Sequence, residues 1–202
     1  WNHVIVSVML PNRWVVGAAV AVALGWQCRA DATVVSAMPL SDLVTMSEWV
    51  IVAEVTSARS HFETIGGARR LITDTTLEVT DAVTPNRSSR ELESGTIVVR
   101  TLGGTFGDVA QVVLGEAVLP RGTSQLLFLD EGSDHVFRVL AMAQGQYPIV
   151  IDGQGQKRLR PSSGLDVVVN AQQSAVHDLA GRTLEQAQSL VQTIHQNVRR
   201  TP

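Results

Sequence analysis

The chain reads as mainly β: a small OB-like or Greek-key β-barrel with a short N-terminal helix and an amphipathic C-terminal helix. Three observations predict this. Apolar or alternating runs recur at hairpin spacing, roughly six to eight of them, separated by Gly- and Asp-rich turns. Helical periodicity is confined to the segments after Ser41 and after Thr183. Between them, residues 122–151 hold the run Leu126-Leu127-Phe128-Leu129, the polar turn Asp130-Glu131-Gly132-Ser133-Asp134, and an alternating strand at 136–142. A run apolar on both faces belongs to a strand covered on both sides, so this one is placed at the centre of the core.

The 202 residues suit one domain with an extension. Pro11-Asn12-Arg13, thirteen apolar or Gly residues at 14–26, and Ala30-Asp31-Ala32 have the three parts of a secretory leader. The predicted division is a signal peptide over 1–32, a β-barrel domain over 33–182 and a helix over 183–200 packed on it. Met9 would open a normal leader, so residues 1–8 are read as upstream of the true start. An uncleaved anchor is the alternative, but the apolar run is shorter than the about 20 residues that span a bilayer. The expected location is secreted or periplasmic, with no transmembrane segment after cleavage.

Removing 1–32 takes away Arg13, Arg29 and Asp31, leaving 14 basic and 18 acidic residues and a net charge of −4. That balance argues against a nucleic-acid partner, which calls for a basic face. Cys28 is the only cysteine and leaves too, so the mature chain is cysteine-free and must be held by its core alone. A domain of about 150 residues buries roughly two-thirds of its unfolded surface, so this is feasible.

Taken in order, Ser41 is a predicted N-cap for a helix carrying Leu43, Val44 and Met46 and ending near Glu48. Residues 49–83 form one long hairpin, with Trp49, Ile51, Ala53 and Val55 on one side and a turn at Gly66-Gly67. A strand at 97–102 breaks at Gly103-Gly104-Thr105-Phe106-Gly107, and 109–119 is a further strand with a bulge at Gly115. Residues 147–151 and 156–160 make a small hairpin about Asp152-Gly153. Val167-Val168-Val169 fits either a strand or a loop tether. Thr183 and Gln186 have the spacing of a capping box, and Leu184, Ala187, Leu190, Val191, Ile194 and Val198 share one helical face.

Searching for chemistry yields little. The Gly-rich segment 102–107 has no lysine and precedes a strand, so it reads as a tight turn and not a phosphate loop. His61, His135, His177 and His195 are scattered, without zinc-ligand spacing. No Gly-x-Ser-x-Gly elbow occurs. Asp152-Gly153-Gln154-Gly155-Gln156 lacks the acidic ligands of a calcium loop and reads as a turn. Lys157, Arg158 and Arg160 fit a charged edge strand. Asp130, Asp134 and His135 are the nearest thing to a cluster, and their place in a hairpin turn makes them a solvated tip. No catalytic, cofactor-binding or metal-ligating residue is assigned, and no cofactor is expected.

The order of motifs carries more than any one of them. Ser41-Asp42-Leu43-Val44, Ser47-Glu48-Trp49-Val50, Glu54-Val55, Thr75-Thr76-Leu77-Glu78-Val79, Leu102-Gly103-Gly104, Leu126-Leu127-Phe128-Leu129 and Ala143-Gln144-Gly145-Gln146-Tyr147 together resemble a group of uncharacterised exported bacterial β proteins. The likeness covers about 40–150 and the end helix. More remotely, a helix, a long hairpin and a Gly…Leu-Leu strand resemble the netrin-like, OB-type domain of tissue inhibitors of metalloproteinases. Those inhibitors bind the protease zinc through an N-terminal Cys-x-Cys. The predicted mature start here, Thr33-Val34-Val35-Ser36, has no cysteine, so the resemblance implies the fold and not zinc-directed inhibition. The expected function is an exported, non-catalytic module binding a protein or envelope component. The alternative is a hydrolase with a dispersed active site.

Overall fold

The computed structural model describes residues 5–9, 35–85, 95–132, 136–165, 168–169 and 171–200. It begins with β1 (Ile5–Met9) and β2 (Val35–Ser36), then helix α1 (Leu40–Met46), then the long strands β3 (Trp49–Ile65) and β4 (Ala68–Pro85). β5 (Thr96–Leu102) leads into the hairpin β6 (Gly104–Phe106) and β7 (Val109–Val113). β8 (Ser124–Glu131), β9 (Phe137–Val139), a 3-10 turn at Met142–Gly145, β10 (Gln146–Ile151) and β11 (Lys157–Leu159) follow. β12 (Val168–Val169), α2 (Ala175–Leu179) and α3 (Leu184–Arg200) complete the order. The fold is thus mainly β, with a short helix early and an amphipathic one at the end.

Seven strands form one sheet in the order β11-β10-β8-β3-β4-β5-β9, and β8 pairs with β9 as well. The β3–β4, β4–β5, β3–β8 and β8–β9 ladders are antiparallel. β5 and β9 run parallel and meet at one pair, Val99 opposite Phe137. The path β3-β4-β5-β9-β8 therefore returns to β3. Three register shifts in β3–β4, between Val50 and Ile51, Val52 and Ala53, and Val55 and Ser57, add local twist to the long hairpin.

Side-chain alternation splits the interior in two. Trp49, Ile51, Ala53 and Val55 of β3 and Leu127 and Leu129 of β8 join Leu77, Ile97, Val99, Phe137 and Val139 in an inner core. Val50, Val52, Leu126 and Phe128, the alternate residues, point the other way, to an outer core shared with the three helices. Residues 126–129 are all fully buried, half in each core. This is why that run is apolar at every position.

α3 shows the predicted reciprocal cap. The Thr183 N–H donates to Gln186 Oε1 at 3.1 Å, and the Gln186 N–H donates to Thr183 Oγ1 at 3.3 Å. Leu184, Ala187 and Val191 are buried in the outer core, with Leu190 and Ile194 packed against it. Val198 remains exposed.

Four expectations need correction. The Gly-rich segment 102–107, read as a tight turn, holds the strand β6 over Gly104–Phe106, with Gly103 and Gly104 at φ 91° and 124° swinging the chain from β5 into it. Ser41 does not cap α1: Pro39 holds the cap position, and Ser41 lies in the first turn with its hydroxyl on Asp42. The helix is anchored instead by burial of Leu40, Leu43 and Val44. The strand predicted over 109–119 ends at Val113, because Gly115 takes a left-handed φ of 79° and the Glu116 N–H turns back to the Val113 carbonyl at 3.2 Å; beyond that turn the Val118 N–H and carbonyl are taken by the Gln146 side chain. The strand predicted over 136–142 is cut to Phe137–Val139, because Ala141 and Met142 take left-handed φ of 54° and 57°. Extended pairing cannot pass through such residues.

Candidate functional site

Beyond the single Val99–Phe137 pair, β5 and β9 part, and a cleft of about 320 Å³ opens between the end of β5 and the residues after β9. Arg100, Leu102, Glu116, Arg138 and Met142 line it. A second hollow of about 300 Å³ adjoins it beneath β6–β7, sharing Thr101, Leu102 and Glu116. Glu116 stands where a strand partner is missing. Its carboxylate accepts the Leu102 N–H at 3.2 Å and the Ala117 N–H at 3.0 Å. Burial pushes its pKa up, and those two hydrogen bonds only partly oppose the shift.

The cations at the rim are organised by cross-strand pairing. Arg100 of β5 sits opposite Asp74 of β4 and binds it through two nitrogens, at 2.7 and 3.0 Å. Its third nitrogen reaches Glu63 of β3 at 3.1 Å. His61 lies 3.7 Å from Glu63 and 4.0 Å from Asp74, beside this cluster of Arg100 and its two carboxylates. Arg138 sits opposite Asp130 across the β8–β9 ladder and donates to the Val136 carbonyl. Hydroxyls in the hollow serve the backbone: Thr73 Oγ1 donates to the Gly103 carbonyl at 2.7 Å and also meets Ser60 Oγ at 2.8 Å. The arrangement sets hydrogen-bonded and charged groups around an apolar floor.

Asp130 is exposed on β8, while Asp134 and His135 lie outside the described residues. Asp152 caps its own turn, accepting the N–H groups of Gln154 and Gln156 at 2.8 and 2.9 Å and Arg158 Nε at 2.5 Å. These bonds, the Arg158 one first, hold its carboxyl below the usual range. Arg158 also donates to the Gly181 carbonyl, tying the last hairpin to the start of α3. Among the described residues, no three His, Cys, Asp or Glu side chains gather as a metal site.

Sequence reasoning missed the Glu116 cleft and the buried glutamines. Gln144 accepts the Met38 N–H at 2.9 Å and donates to the Ser36 carbonyl, clasping the chain before α1. Gln146 binds both backbone groups of Val118 and accepts from Ser162 Oγ at 2.5 Å. The available signals were polar residues inside apolar runs: Glu116 in Val-Leu-Gly-Glu-Ala-Val, and Gln-Gly-Gln before Tyr147. Comparison with protein-family models and with curated proteins finds no match.

Proposed function

We propose that this chain is an exported, non-catalytic binding module of the cell envelope or extracellular space, built on an OB-type five-stranded barrel. The β3-β4-β5-β9-β8 path supports the barrel reading: it returns to β3, is parallel only at β5–β9, and agrees with the remote netrin-like resemblance. OB-type barrels take ligands over their second and third strands and the adjoining loops. Here those strands are β4 and β5, and the single observation that carries the binding reading is the cleft against β5. The leader at 1–32 supports export to a secreted or periplasmic location.

The test is capture from envelope extract by the tagged full chain. A saturable protein or envelope partner is expected, weakened by Arg138→Glu at the cleft rim. Absence of any saturable partner would remove the ground for this reading. The hydrolase alternative takes its support from the raised Glu116 carboxyl, a property shared by general acids. Turnover on a hydrolase panel, abolished by Glu116→Gln, would put that alternative first.

A further inference from the structure

β7 pairs with β6 along one edge and with β1 along the other. The second ladder covers all of Val109–Val113, antiparallel and without a register shift, from Ile5 opposite Val113 to Met9 opposite Val109. Bare edge strands recruit other strands, and proteins blunt them with charge, proline or bulges. The edge strand β11 is blunted in this way by Lys157 and Arg158. The β7 sequence Val-Ala-Gln-Val-Val carries no charge and no proline.

The hairpin is also held rigidly from its other side. A Cβ on Gly104, at φ 124°, would collide with the hydroxyls of Thr73 and Ser60, so β6 lies directly on the β3–β4 frame. Phe106 packs edge-to-face on Phe62 at 5.7 Å, and Gln111 Oε1 accepts the Leu71 N–H at 3.4 Å. The Gln111 carbonyl points to the β6 side, where a Cβ on Gly103 would meet it at 2.6 Å. By antiparallel alternation, Ala110 and Val112 direct their backbone groups to the opposite edge. A preformed edge with outward N–H and C=O groups is what strand addition requires.

We infer that the β7 edge is an acceptor for an extended, uncharged, β-branched-rich strand of a partner protein, and that Ile5–Met9 holds its place in the full chain. The seated segment shows the chemistry that fits: Ile-Val-Ser-Val-Met, with no charge and three β-branched residues. Val112, 65 % exposed beside that ladder, offers an apolar contact to the incoming strand. On the leader reading, Ile5–Met9 is absent from the mature chain, its first four residues lying upstream of the Met9 start, and a partner strand takes its register. The inference rests on the binding-module reading and adds to the cleft a second contact surface, the β7 edge.

The test uses the full chain with Val8→Pro, which removes an N–H that faces Ala110 and so breaks the β1–β7 ladder, and a labelled synthetic peptide of the Val4–Leu10 sequence read by fluorescence anisotropy. If β1 covers the edge in about nine molecules of ten, the peptide binds Val8→Pro about tenfold more tightly than the unaltered chain. Val112→Lys added to Val8→Pro, at an exposed side chain, should abolish that gain. Equal binding to all three chains, or none to a Val8→Pro chain with native far-UV dichroism, overturns the inference. So does a Val8→Pro dimer, dispersed by Val112→Lys, that excludes the peptide, because a second copy is then the occupant. An envelope partner captured equally by chains with and without Val112→Lys keeps the binding module and rejects the strand acceptor.

Discussion

Leu127→Ala probes the division of the interior into two cores. Leu127 is fully buried, lies opposite Ile51 of β3 and Gln146 of β10, and belongs to the inner core. Truncating such a leucine costs about 2–5 kcal/mol, depending on how far the site collapses. At an m of about 2 kcal/mol/M, the urea midpoint falls by about 1–2.5 M. Two double-mutant cycles then locate the residue. With Ile51→Val, its neighbour in the same core and itself worth about 0.5–1.5 kcal/mol, the losses should deviate from additivity by about 0.5 kcal/mol or more. With Val191→Ala, in the outer core on α3, they should add within about 0.5 kcal/mol. A shift below about 0.5 kcal/mol for Leu127→Ala, or coupling to Val191 as strong as to Ile51, refutes the two-core architecture.

Thr183→Ala removes the acceptor for the Gln186 N–H and should cost about 1 kcal/mol, read as a urea midpoint; no loss would mean that water replaces the cap. Glu116→Gln has a pH signature. Burial raises the folded carboxyl above its unfolded value, so the folded chain keeps a proton that the unfolded chain releases. Stability conferred by that proton is present below the unfolded pKa, declines as pH rises to the folded pKa, and stays lower above it. The amide introduced by Glu116→Gln has no proton to lose, so the variant's deficit relative to the unaltered chain should narrow as pH rises from about 4. A deficit constant across that window would show that burial does not govern this carboxyl.

The elements that local patterning controls were legible. A period of two marked the 49–83 hairpin with its Gly66-Gly67 turn, and a 3.6 period with Thr183 and Gln186 marked α3, because both signals lie within a few residues of the structure they describe. The apolar run at 126–129 announced burial on two sides before either partner surface was known. Local signals misled where a tertiary bond competed. The left-handed Gly115 ended the strand begun at Val109, Gln146 captured Val118 beyond it, and the left-handed Ala141 and Met142 turned the chain after Val139. The candidate site was decided by tertiary structure alone. Glu116 reaches Leu102, Arg100 reaches Asp74 and Glu63, and Gln144 clasps residues more than a hundred positions earlier. The sequence by itself determined the 49–83 hairpin, the doubly buried run at 126–129 and the terminal helix, with the apolar face of each. Register, the single pair at which β5 and β9 meet, and the cleft that opens beyond it depend on the distance between residues far apart in the chain, which no local period records.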